Sequence, residues 1–160
     1  MPLRSRILTI LRATNRPKMD FVIEQLEPKG YFTRGAGGHH IGRGGLAQHS
    51  IEVYDFMKRW FGRVLPDDSI AVVALFHDLG KLNGRHDGHW DRSVALLEDW
   101  GFVLTDAERY AISHHHDLRP GSVFHLLRAA LGLGDMRSTR RWLKGRPSSR
   151  RKRLFSHKCH

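Results

Sequence analysis

The sequence predicts an all-α bundle of about six or seven helices, and three observations carry that prediction. Apolar residues recur at intervals of three and four along residues 3–143, the period of a helix with one buried face. No stretch alternates apolar and polar residues convincingly enough for a half-buried strand. Glycine and proline fall between the periodic stretches and so punctuate them. With 160 residues, 40% of them hydrophobic, the chain is long enough for one domain with its own core.

The first helix is expected from about Leu3 to Ala13. Pro17, at a helix N1 position, opens a second through Met19, Val22, Ile23 and Leu26, and Pro28 stops it. Residues 34–45 hold six glycines and read as loop. A third helix spans Leu46 to about Phe61, with Leu46, His49, Val53, Phe56 and Trp60 on one face. After Pro66, with Asp67 or Asp68 as cap, a fourth runs Ser69–Leu79 and ends at Gly80. The fifth covers about His89 to Trp100. Thr105-Asp106-Ala107-Glu108 is a capping box that starts the sixth, which reaches His114-His115-His116. The seventh covers Ser122 to about Leu143. Residues 1–144 thus form the helical domain, and 145–160 read as a basic tail. No internal repeat is present.

Charge is uneven. Of the 27 Lys/Arg, ten lie in residues 137–160, which hold no acid; the preceding residues balance 17 bases against 16 acids. A terminal run of like charge reads either as a solvated arm or as a contact for nucleic acid through its phosphates. No apolar run approaches the roughly 18–20 residues of a membrane span, and the single Cys159 excludes an intrachain disulfide. A soluble cytoplasmic protein without a membrane partner is expected.

Histidine is the second anomaly: there are twelve, ten of them between positions 39 and 125. Helix four is apolar all round and therefore buried all round, yet it ends in His77-Asp78. His49 lies on the inward face of helix three, and Asp135 continues the apolar row of Leu127 and Leu131 on helix seven. A buried carboxylate costs several kcal/mol unless a charge meets it. One lone histidine of this kind would be an ordinary core residue. Four inward polar groups on three helices are better explained by a divalent cation, for which imidazole nitrogen and carboxylate oxygen are ligands.

GGLAQHS, ALFHDLGK and LGLGD, in that order, resemble the H…HD…D signature of the HD-domain metal-dependent phosphohydrolases. Residues 19–40, GGLAQHSIEVY, HDLGK, GHWDRSV and LTDAERYAISHHH resemble in order a small bacterial and phage-associated subgroup of that family. The resemblance implies an HD-like helical bundle and assigns His49, His77, Asp78 and Asp135 to one metal. The family usually has Ala-Asp at the last position where this chain has Gly134-Asp135, and Asp117 is the alternative. A second metal, bridged by Asp78, would use His89 and His115, with His114 replacing or joining His115. The ions would be one or two of Mn, Fe, Co, Ni, Zn or Mg.

Metals held this way activate water and neutralise phosphoryl oxygens, so no nucleophilic side chain is needed. Asp78 and Lys81 are the candidate catalytic residues. Lys81 would hold a substrate phosphate or protonate the leaving oxygen, or simply complement a helix C-terminus. Arg92 is a candidate phosphate ligand or plain surface charge, and His39 and His40 would line the mouth of the site. The expected function is metal-dependent hydrolysis of a nucleotide or nucleic-acid phosphoester. The alternative is a non-catalytic nucleic-acid binder that keeps a degenerate HD scaffold and uses its basic tail.

Overall fold

The structure, a computed structural model, describes residues 1–37, 40–84, 87–116 and 125–145. Seven α-helices and no strand occur among them: α1 Leu3–Ala13, α2 Met19–Leu26, α3 Gly45–Phe61, α4 Asp67–Phe76, α5 His89–Asp99, α6 Asp106–His114 and α7 His125–Gly145. A 3-10 helix, Leu79–Asn83, lies between α4 and α5. No helix of the described residues is long and apolar enough to cross a membrane.

Helix α4 is the axis. Every residue from Ile70 to Phe76 is buried, and α1, α3, α6 and α7 all contact it. Burying one large apolar side chain stabilises by roughly 1.5–3 kcal/mol, so this segment is held from every side. Pro66 precedes it, and Asp67 and Asp68 occupy its first turn, where negative charge suits the helix dipole. The buried Tyr31 hydroxyl donates to Leu75 O at 2.8 Å, satisfying a carbonyl near the helix end.

Helices α3 and α7 pair antiparallel. Gly134 packs on Val53 and Phe56, whereas Ser138 reaches back to His49 and Glu52. A Cβ at Gly134 would come within 3.1 Å of Val53 Cγ1, so glycine before Asp135 lets the two helices close. The Thr105 capping box forms as expected: its side chain accepts from Glu108 N–H and Glu108 Oε2 accepts from Thr105 N–H.

Three expectations need correction. The fourth helix ends at Phe76 and does not continue to Leu79, because the chain tightens into the 3-10 helix at the HDLGK segment. Pro17 does not open α2; Asn15 and Lys18 adopt left-handed φ of 51° and 66° on either side of Arg16-Pro17, turning Arg16 inward toward Glu108. Trp60 is 61% exposed, since Val53 and Met57 fill the inward positions of the last turns of α3. The start expected for helix seven at Ser122 and the segment beyond Gly145 lie outside the described residues.

Candidate metal centre

The break after α4 sets the geometry. In a continuous helix His77 and Asp78 would point about 100° apart. Here His77 caps α4 and Asp78 adopts φ −104°, ψ 10°, the bridge region between helix and strand, and both side chains reach one cluster. Gly80 makes the turn feasible, because a Cβ there would lie 2.0 Å from His89 O. Ser93 then staples α5 to the turn: its hydroxyl accepts from Gly80 N–H (2.8 Å) and donates to His77 O (2.7 Å).

Ligand atoms of His49, His77 and Asp78 lie within 4.8 Å of one another, all buried. His49 Nε2 is 3.2 Å from His77 Nε2, and each is 3.5 Å from Asp78 Oδ2. Asp135 adds Oδ1 at 2.9 Å from His49 Nε2 and 4.0 Å from His77 Nε2. Beside this group, His89, His115 and His116 bring ligand atoms within 4.8 Å of each other. The carboxylates join the two groups. Asp78 Oδ1 is 2.9 Å from His89 Nε2, and Asp135 Oδ2 is 3.8 Å from His116 Nδ1.

Hydrogen-bond accounting shows what the centre lacks. His77 Nδ1 donates to Ala74 O (3.0 Å) and His115 Nδ1 to Ile112 O (2.7 Å), since carbonyls only accept. The Ser138 hydroxyl spends its proton on Glu52 Oε2 (2.7 Å), so at 3.1 Å it accepts from His49 Nδ1–H. In their neutral forms all three rings therefore turn an Nε2 lone pair inward, those of His49 and His77 toward carboxylate oxygens. His115 Nε2 is buried with no hydrogen-bond partner among the described residues. A proton would relieve one such contact; a divalent cation relieves several together. The donor set fits such a cation.

Ionisation states agree. Burial pushes His77 down to about 4 and His115 down to about 3, so both are neutral, ligand-ready imidazoles at neutral pH. Burial works to raise Asp78, but His77, His89 and Lys81 hold it well below the usual carboxylate range. Asp135 is likewise held low against burial by its neighbours His49 and His77, which would gain protons before it does as pH falls.

A family model of the HD domain matches residues 46–157. The chain belongs to the HD-domain family. No curated protein and no solved structure matches it. HD proteins are generally metal-dependent phosphohydrolases, and the buried His/Asp groups of this HD domain have the composition and spacing to bind metal.

Of the residues singled out in the sequence, His49, His77, Asp78, Asp135, His89 and His115 come together. Lys81 joins them, buried, with Nζ 2.5 Å from Asp78 Oδ2. His114 does not: it is exposed, stacks on Tyr110 (centroids 4.3 Å apart) and bonds its own helix at Tyr110 O. Helix α6 ends at His114, and past that end the half-exposed His116 brings a ligand atom beside His89 and the buried His115. Nothing in the run of three histidines marks which one; the helix end decides. His40 is buried and does not stand at a mouth, its Nε2 3.4 Å from Glu52 and its ring stacked on Trp142. Arg92 is half-buried with Nη1 beside Gly88. His39 and Asp117 lie outside the described residues.

Sequence reasoning also passed over Glu52 and Ser138, which fix the His49 tautomer. Burial would raise Glu52, but His40, Gln48 and Ser138 hold it down at about 2, so it stays a carboxylate and orients the serine. Their only signal was position: both fall one turn from a candidate ligand on its own helix.

Proposed function

We propose that this HD domain is a dinuclear phosphohydrolase acting on a nucleotide or nucleic-acid phosphoester. One ion would be held by His49, His77, Asp78 and Asp135, and the other by His89, His115, His116 and the second oxygen of Asp78. The observation that carries this reading is the placement of the two carboxylates, each with one oxygen beside each histidine group. Bound divalent ions would supply Lewis acidity toward phosphoryl oxygens and an activated water. Asp78 would fix the spacing of the two sites. Lys81, held against Asp78, places an ammonium at the centre, where it would balance the negative charge of the arriving phosphate or protonate the leaving oxygen. Arg92, one turn beyond His89, would contribute its guanidinium to a bidentate phosphate contact. His40 would act from behind, through Glu52 and Ser138.

The test is turnover by the purified chain with Mn²⁺, Co²⁺, Ni²⁺ or Fe²⁺ against nucleoside monophosphates, cyclic nucleotides and single strands, alongside elemental analysis. Metal-dependent release of phosphate or nucleotide, with about two ions per chain, is expected. Stoichiometric bound metal without turnover for any substrate would remove the enzymatic reading, and a single ion would remove the dinuclear one.

A further inference from the structure

Helix α7 carries unlike chemistry on opposite sides. Asp135 faces the histidines, while Arg137, Arg140, Arg141 and Lys144 are exposed. At about 100° per residue these four cations fall on the side of the helix away from Asp135. Helix α3 supplies aromatic rings beside them. The Arg137 guanidinium lies 5.6 Å from the Phe56 ring centre, and that of Arg59 lies 5.5 Å from Trp60, whose ring is 61% exposed.

Two adjoining depressions follow this seam. One, of about 560 Å³, is lined by Phe56, Leu133, Met136 and the four cations. The other, of about 250 Å³, shares Phe56, Arg137 and Arg141, and adds Arg59 and Trp60. The acids of the second depression are engaged: Asp55 pairs with Arg6 (2.9 Å) and Glu52 accepts from Ser138 (2.7 Å). Among the described residues no carboxylate pairs with Arg59, Arg137, Arg140, Arg141 or Lys144.

We propose that this seam is a binding groove for single-stranded nucleic acid, with phosphates on the α7 cations and Arg59 and a base stacked on Trp60. Five cations without acidic partners call for a polyanion. An exposed indole flanked by a guanidinium is a platform for a flat ring, which an unpaired base supplies and a duplex keeps inside its own stack. An acidic peptide would answer the charge and leave the ring unused. The chain's own residues 146–160 hold six further Lys/Arg and no acid, a charge that disfavours them as the occupant of a cationic groove. A second copy would bring the same positive face. The groove reaches Ser138, whose hydroxyl accepts from His49, so a bound strand would lie along the helix pair that carries two of the candidate ligands.

The experiment is fluorescence anisotropy of a labelled 12-nucleotide oligo(dT) with the full chain, metal-free, over a salt series. Binding is expected with a log K–log salt slope near −3.5, about 0.7 for each of the five phosphates the groove cations neutralise. Trp60→Ala should weaken it about tenfold or more. Arg137→Ala with Arg141→Ala should lower the slope by about 1.4, and Arg109→Ala, which removes a cation outside both depressions, should leave binding unchanged. Circular dichroism shows which variants are folded, and Trp60→Phe, which keeps a ring, should retain most of the affinity. Unchanged affinity in the groove variants would assign binding to residues 146–160 and overturn the proposal. Equal competition by polyglutamate or a duplex, with Trp60→Ala silent, would overturn it in favour of a general polyanion surface. Absence of binding at low salt would also overturn it. Since no readout involves hydrolysis, each failure leaves the phosphohydrolase reading standing.

Discussion

Two buried polar clusters sit at opposite ends of α4 and balance their charge differently. At its first turn, Glu108 is fully buried, yet every lone pair it offers is met. Its Oε1 accepts from Arg16 (2.9 Å) and Ser69 (2.8 Å), and its Oε2 accepts from Arg16 (3.2 Å) and Thr105 N–H (2.9 Å). The same two nitrogens of Arg16 also donate to Val103 O and Asp68. Beyond the last turn, Asp78 and Asp135 meet imidazoles whose protons already point outward to Ala74 O and Ser138. The first cluster is closed by its own residues. The second has acceptors in excess, with the Lys81 ammonium held against Asp78 Oδ2. A cluster that closes on itself is built for stability; one left short of positive charge is built to receive it from outside.

The contrast can be broken from either side. The largest effect is expected at the open cluster: His77→Ala should remove bound metal and lower turnover by about a thousandfold or more, the several kcal/mol that charge neutralisation at a phosphoryl centre supplies. Elemental analysis and initial rates measure it. At the closed cluster, Glu108→Ala should cost about 3 kcal/mol, because Arg16 keeps Asp68 but loses two charged hydrogen bonds while Ser69 and Thr105 N–H lose their acceptor, read by urea unfolding with metal content unchanged. The same pair sets an acid limit. Burial opposes the shift, but Arg16, Thr105 and Ser69 hold Glu108 below its ordinary 4.5. Its contribution is therefore complete above that value and is lost as pH falls through the folded-state value; Glu108→Gln should flatten stability in that window.

Next in size, a metal present at about a hundred times its dissociation constant should stabilise the fold by about 2.7 kcal/mol. A thermal shift reversed by chelator measures this, and it should survive Glu108→Gln but vanish in His77→Ala. Ser138→Ala leaves the ligands in place but frees the His49 tautomer; a 10–100-fold loss of metal affinity is expected by titration. Finally, His114→Ala should change neither affinity nor rate, because its ring lies on Tyr110. A loss comparable to that of His116→Ala would contradict the geometry.

Much of this was legible before any coordinates. The helices follow from apolar period and from the Thr105 box, signals local to each segment. His49, His77, Asp78 and Asp135 stood out because burial of polar groups on apolar faces is visible as pattern. His116, Ser138, Glu52 and the partnering of Arg16 with Glu108 were not, since each depends on where a helix stops or on a neighbour 86 or more positions away.

The linear chain by itself determined an all-helical architecture, a histidine-rich interior and a cationic C-terminal stretch, because period, propensity and charge are properties of neighbouring residues. Only packing decided that α4 breaks at Phe76, that the turn after His114 selects His116, and that Asp78 and Asp135 each stand between both histidine groups. The physical reason is directional: a side chain's ligand atom is aimed by the backbone beneath it, and that backbone is bent by contacts such as Ser93 on Gly80 and Gly134 on Val53, which no local stretch of sequence encodes.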